Sequence, residues 1–206
     1  MKIKIIFFLL IIFINSCFKD VDDAIMYHIY QSFHRHIHYA TWGTEIPPEY
    51  LAALISLESY PPGNWDSERF EQKVYERLLK LKQNGTPFAR ISREKVISLT
   101  DSELKQLATS YGLTQIMGYH CLELGCSIED LRSRDHLLWS VAYIRKNYLK
   151  YIKQKQWEIC FKMHNTGNPF GKTHNKDYVE KGLKRMEYYR KWIRLKGNLL
   201  SNIYEN

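Results

Sequence analysis

Glu58 closes the segment Pro47-Pro48-Glu49-Tyr50-Leu51-Ala52-Ala53-Leu54-Ile55-Ser56-Leu57-Glu58-Ser59. Proline at a first helical position and the run behind it read as a helix. On that helix Leu51, Leu54 and Ile55 lie seven, four and three positions before Glu58, so they share its face. A carboxyl that completes an apolar stripe is out of place, because desolvation disfavours its charged form. A carboxyl that keeps its proton near neutral pH is what a general acid for cleaving a sugar–sugar bond needs. The plainer reading is a glutamate at a frayed helix end, snorkelling to water. Two amides, Gln115 and Asn165, carry both donors and acceptors and suit the holding of a polar ligand. Each has a structural alternative: Gln115 as a loop-stabilising amide, Asn165 as the first residue of an ordinary Asn-x-Gly turn.

These residues need a scaffold, and the pattern behind Cys17 is mostly helical. Val21, Ile25, Ile29, Phe33 and Ile37 recur at every fourth position and mark one apolar face. Trp42-Gly43 and Pro47-Pro48 separate that helix from the Glu58 helix, and Pro61-Pro62-Gly63-Asn64 turns the chain directly after it. Asp66 or Ser67 is expected to cap a helix running to about Gln83, stopped by Asn84-Gly85-Thr86-Pro87. Thr100-Asp101-Ser102-Glu103 reads as a capping box. A long helix is expected from Ile128 to Ile152, a further one from Trp157 to Met163, and a last one patterned by Val179, Leu183, Met186 and Ile193. No repeat, low-complexity linker or pair of alternating strands stands out, so the fold class read from pattern is all-α.

The first residues have a different composition. Met1-Lys2-Ile3-Lys4 is basic, and Ile5 to Ile14 is an unbroken apolar run followed by Asn15-Ser16-Cys17. The run is short for a membrane span and reads as a signal peptide over residues 1–16. Its end resembles the lipobox of bacterial lipoproteins, which implies lipidation at Cys17 and export to the periplasmic face of a membrane; the alternative is an ordinary secretory signal. One domain over residues 17–206 is long enough for a real core. The 206-residue chain carries 30 basic and 22 acidic side chains, net +8, and loss of Lys2 and Lys4 lowers that by two. A basic surface suits a polyanion, an anionic membrane or an acidic wall polymer. No zinc finger, RNA-recognition signature or basic heptad is present, and export argues against nucleic acid.

Taken in order, Glu58-Ser59, Gly112-Leu113-Thr114-Gln115-Ile116-Met117-Gly118 and His164-Asn165-Thr166-Gly167 resemble the motifs of the lysozyme-like lytic transglycosylase superfamily. Its members carry a Glu-Ser pair ending a helix, a Gly-Leu-x-Gln-Ile segment and a later aromatic-Asn-x-Gly turn. The resemblance spans roughly residues 20 to 190. It implies a lysozyme-like helical domain acting on peptidoglycan glycan strands, without a cofactor or a metal. Glu58 would be the catalytic acid; Ser59 would face substrate beside it or simply end the helix; Gln115 and Asn165 would face substrate; Gly112 and Gly118 would let the backbone approach the sugar or turn sharply; a late tyrosine, Tyr178 or Tyr188, would touch the acid. The spacing from Glu58 to Gln115 and the Arg69-Phe70-Glu71 segment are closer to a phage-type muramidase branch, and His164 stands where a tyrosine is common. A lytic transglycosylase needs no second carboxylate; a hydrolase would draw on Glu71, Asp66 or Glu123. A rival of another class is a non-catalytic lipoprotein that binds wall glycan or scaffolds a partner.

Other residue types capable of chemistry fall outside these motifs. His34 and His38, four apart, could share a metal on one face; a solvated face is the default for them and for His28 and His36. The same default covers the cations Lys150, Lys153, Lys155 and Lys162 beside Tyr151 and Trp157, and Lys181, Lys184, Arg185, Arg190 and Lys191. Cys121, Cys126 and Cys160 form either one disulfide with a free thiol or three buried thiols.

Overall fold

The computed structural model describes residues 18–59 and 61–204, with side chains as far as residue 196. The expected signal peptide and the expected lipidation site, Cys17, lie outside the described residues. Among these residues no helix is long and apolar enough to cross a membrane. The domain is helical, as the periodicity implies, with a small sheet the pattern did not announce.

Three helices form one side. In α1 (Val21–Thr41) the buried face is Met26, Ile29, Phe33, Ile37 and Ala40. Val21, expected on that face, is 75% exposed. The first turn directs its acids inward instead. In α2 (Pro48–Glu58) every residue from Tyr50 to Ser56 is buried, so this helix is the centre of the packing rather than an amphipathic surface element. The closing helix, α9 (Tyr178–Tyr204), packs against both.

The cations of α9, expected to face water, form a seam across this side instead. Arg185 is buried; its Nε and Nη2 reach Asp22 at 2.9 Å, and its Nη1 donates to the Ser56 carbonyl at 2.7 Å. Lys191 (2.6 Å) and Trp192 Nε1 (2.9 Å) converge on Asp23, which is fully buried. Lys184 joins Asp20 and Asp22, and Arg190 pairs with Glu49 at 2.8 Å. The first turn of α1 and both ends of α2 are thereby tied to one helix.

The other side is built from short elements. Strands β1 (Glu68–Phe70), β2 (Thr109–Tyr111) and β3 (Ile116–Met117) form an antiparallel sheet in that order, with Glu68 opposite Tyr111 and Ser110 opposite Met117. The helix expected from Asp66 or Ser67 therefore starts later, as α3 (Gln72–Asn84). Pairing with a segment some forty residues away overrides the local pattern of residues 68–70. The capping box at Thr100 and Glu103 opens α4 (Asp101–Leu107) as expected. A 3₁₀ turn over Gly118–His120 leads into the single turn α5 (Cys121–Leu124).

The long helix expected over 128–152 is two helices, α6 (Ile128–Arg132) and α7 (His136–Lys153). Ser133 breaks it: its hydroxyl donates to the Asp130 carbonyl at 2.8 Å and accepts from the Asp135 amide at 3.0 Å. Serine competes with helical hydrogen bonding in this way. Helix α8 (Trp157–Thr166) ends at Gly167 in the left-handed conformation, φ 69°.

Candidate active site

Glu58 occupies the last turn of α2 and is half-buried. The Tyr178 hydroxyl, at the start of α9, donates to Glu58 Oε1. No hydrogen bond reaches Oε2 from the described residues. Tyr178 itself is buried, and burial first, then the Glu58 charge, holds its hydroxyl well above the usual phenol range. It therefore remains a hydrogen-bond donor across the whole physiological range. Tyr188, the other expected candidate, faces away and donates to Asp20 at 2.7 Å. On a helix, Tyr178 and Arg185 are seven apart and share the face toward α2, whereas Tyr188 is rotated off it.

Ser59 is buried, but its bonds are structural. Its hydroxyl donates to the Ile55 carbonyl and accepts from the Gly63 amide, both at 2.9 Å. It ends α2 and folds the Pro-Pro-Gly turn back on the helix. The orientation of Glu58 thus follows from Ser59 without contact between the two side chains.

A cleft of about 210 Å³ joins the two later motifs; among its lining residues are Gln115, Met117, His120, Tyr143, His164 and Asn165. Tyr143 connects it to the acid: burial and the neighbouring Tyr119, then the Glu58 charge, raise its phenol. Glu58 itself is not among the residues that line the cleft. Asn165 is half-buried; its Oδ1 accepts from the His174 amide at 3.3 Å, and its nitrogen makes no hydrogen bond among the described residues.

Gln115 sits in the β2–β3 turn with φ 52°, a conformation that non-glycine residues seldom adopt. Its Nε2 donates to the carbonyls of Ser67 (3.0 Å) and Gly112 (2.9 Å) and approaches Ser67 Oγ at 3.1 Å. Its Oε1 accepts from the buried Ser110 hydroxyl at 2.7 Å. The amide thus pins the turn to the strand entry while its side chain lines the cleft. A strained backbone held by so many bonds is a common mark of a functional position.

Two histidines hold this wall to the helices. His164 Nε2 lies 2.9 Å from the Thr114 carbonyl, so it carries the proton, and Nδ1 accepts from the Tyr148 hydroxyl at 2.9 Å. Tyr50 of α2 donates to Tyr148 in turn, at 3.3 Å. The histidine that replaces a tyrosine in the third motif therefore links α2, α7, α8 and the Gln115 turn.

His136 belongs to no motif, and nothing in the sequence singles it out. It is fully buried; its Nδ1 donates to the Leu131 carbonyl at 2.9 Å, and its Nε2 accepts from the Thr114 amide at 3.1 Å. Burial pushes its pKa down to about 4. A backbone amide can only donate, so the ring must be neutral. Gly112, expected to approach substrate or turn sharply, turns at φ 67° against this ring: an added Cβ would come within 2.7 Å of it. At Gly118 the close neighbour is the Gln106 carbonyl, 2.4 Å from where a Cβ would sit.

Two of the three expected second acids are ion-paired. Glu71 pairs with Arg69 at 2.7 Å, Glu123 lies 3.6 Å from Arg90 and 3.9 Å from Lys146, and Asp66 is exposed. His34 bonds the Tyr30 carbonyl and stacks on that ring, while His38 meets Trp42 edge-on. Among the described residues no group of three or more His, Cys, Asp or Glu side chains could hold a metal.

No family model matches the chain, and no curated protein matches it in sequence. Among solved structures it is similar to the Burkholderia AP3 phage endolysin, at 18% identity over 83% of this chain and 71% of that one, with a TM-score of 0.49.

Proposed function

We propose that the chain is a lysozyme-like domain that cleaves the glycan strands of peptidoglycan, and that it does so as a lytic transglycosylase through Glu58. The observation that carries this reading is convergence. A half-buried acid has one oxygen held by Tyr178, and the residues of the two later motifs, Gln115 and Asn165, line one cleft whose wall includes Tyr143, a phenol that feels the Glu58 charge.

Glu58 protonates the glycosidic oxygen between N-acetylmuramic acid and N-acetylglucosamine. Lysozyme uses a glutamate in apolar surroundings as an acid of this kind. The substrate's acetamido oxygen stabilises the positive centre as the bond breaks. Glu58, now a carboxylate, takes the proton of the muramic 6-hydroxyl, and that oxygen closes a 1,6-anhydro ring. Tyr178 keeps donating to Oε1, so Oε2 is the oxygen that carries the proton to and fro. The Asn165 amide nitrogen and the remaining lone pair of Gln115 Oε1 meet the sugar's hydroxyl and acetamido groups along the wall.

Hydrolysis as a muramidase is the second reading, and it requires a carboxylate to hold water. The ion pairs of Glu71 and Glu123 favour the first. Cys17 carries a lipid in this reading and anchors the domain at the periplasmic face of a bacterial membrane, on the strength of the sequence alone.

The test is mass spectrometry of soluble products from purified peptidoglycan, for the unmodified chain beside Glu58→Gln. Anhydro-muramic ends made only by the unmodified protein are expected. Reducing muramic ends would replace transglycosylation by hydrolysis. Equal turnover by Glu58→Gln would remove Glu58 from the chemistry, and no products from folded protein would leave a glycan-binding or scaffolding role.

A further inference from the structure

The cleft wall stands on an unusual pair of sulfurs. Cys121 Sγ and Cys126 Sγ are 2.7 Å apart, both as free thiols. The turn between them makes the approach possible. Gly125 caps α5 at φ 77°, and its amide returns to the Cys121 carbonyl at 2.9 Å, so that residue 126 folds back over residue 121. Added bulk at Gly125 would meet nothing, so the turn is shaped from within rather than by its neighbours.

We propose that Cys121 and Cys126 are a thiol–disulfide exchange site that closes reversibly with a low-molecular-weight disulfide and locks the cleft wall when closed. The inference rests on this geometry and is independent of the proposed function.

The two thiols are not equivalent. Cys126 is half-buried and its thiol donates to Cys121 Sγ, whereas Cys121 is buried, so a disulfide arriving from solution meets Cys126 first. The order of events follows. The Cys126 thiolate attacks one sulfur of the disulfide and expels the other half as a thiolate. Cys121 then loses its proton and attacks Cys126 Sγ, expelling the second half. Both cysteines end oxidised, one disulfide is reduced to two thiols, and two protons leave the protein.

The consequence falls on the site. Cys121 directly follows the 3₁₀ turn whose Tyr119 and His120 line the cleft, and the His120 ring lies 4.5 Å from that of Tyr143. Closure makes α5 a covalent loop against that turn. Cys160, fully buried in α8 and raised to about 12 by burial, is an internal comparison.

The test equilibrates the full chain in glutathione buffers from reduced to oxidised, then alkylates it under denaturing conditions and maps the peptides. A Cys121–Cys126 cross-link is expected to appear while Cys160 stays alkylatable. The closed form should melt higher by about 5 °C, and the amides of Tyr119 and His120 should exchange more slowly. In Cys121→Ser, Cys126 should stop as a mixed disulfide with glutathione. The proposal is overturned if both thiols stay alkylatable across the whole series, if Cys160 pairs as readily as either, or if closure leaves those amides unchanged.

Discussion

The two sides of the domain are held by different means. On the α1–α2–α9 side long helices carry an apolar interior, and charged side chains clamp their ends: Arg185 to Asp22 and Ser56, Arg190 to Glu49. On the sheet side no strand exceeds three residues, and single side chains hold the backbone: Gln115 to Ser67 and Gly112, His136 to Leu131 and Thr114. Glu58 stands on the first side and Gln115 on the second, while Asn165 lies on α8. The acid proposed at Glu58 must hold its position to a fraction of an ångström, which packed helices provide. A wall of short elements with satisfied polar groups can instead present several amide and aromatic groups to a ligand.

Removing one clamp on each side should expose the difference most sharply. Arg185→Met takes a buried guanidinium from Asp22 and from the carbonyl two residues before Glu58, and is expected to lower stability by about 3 kcal/mol. Arg132→Met breaks the Glu68 pair on the sheet side, at 2.7 Å but on the surface, and should cost less than about 1 kcal/mol. Urea unfolding at equal slope checks both. Equal losses would mean that the helical side is not held by its buried pair.

Acid should act first on the sheet side. His136 is neutral in the fold with a pKa of about 4, against 6.5 for the free side chain. Below pH 6.5 the unfolded chain takes up a proton that the fold refuses, so stability falls as pH drops from about 6.5 to 4 and the loss levels off below. Its size is about 3 kcal/mol for this group. His120, depressed to about 3 by burial and by Arg90, works in the same direction. The carboxyls of Asp20 and Asp22 are lowered, Asp20 chiefly by the Tyr188 hydroxyl and Asp22 by Lys184 and Arg185 against its burial, so the helical clamp weakens only in more acid solution. Thermal melts between pH 7 and pH 4, with hydrogen exchange read separately at Thr114 and at Ser56, would separate the sides. Simultaneous loss at both amides would mean that they unfold as one unit.

What could be read from the chain divides along the same line. The Glu58 helix, its preceding prolines and the Thr100 capping box are local signals, and they appear where the pattern put them. The strands left no trace, because Glu68, Arg69 and Phe70 are all exposed and show no alternation. Arg185 was invisible for another reason. A basic residue on a helix reads the same whether its partner is water or Asp22, which is 163 residues away in sequence. His136 belongs to no motif, and its partners are backbone groups that any sequence supplies. The sharp turn was legible at Gly112, but the second need for a bare Cα there, the imidazole beneath it, was not.

Gln115 is where the two kinds of reading meet, and Gln115→Ala should show a smaller effect than Arg185→Met or the acid titration of His136. The substitution leaves the positive φ in place and removes four hydrogen bonds, so the buried Ser110 hydroxyl loses its acceptor on Oε1 and keeps only a longer bond to the Arg69 carbonyl at 3.3 Å. A stability loss of about 2 kcal/mol is expected for such a partly compensated site. Turnover should fall as well, because the turn that bears the amide is also the cleft wall. The informative quantity is turnover per folded molecule against melting temperature. A drop in both ties the amide to wall and ligand together. A lower melting temperature with unchanged turnover would confine Gln115 to the hairpin and leave Asn165, on the helical flank of the cleft, as the amide that meets the sugar.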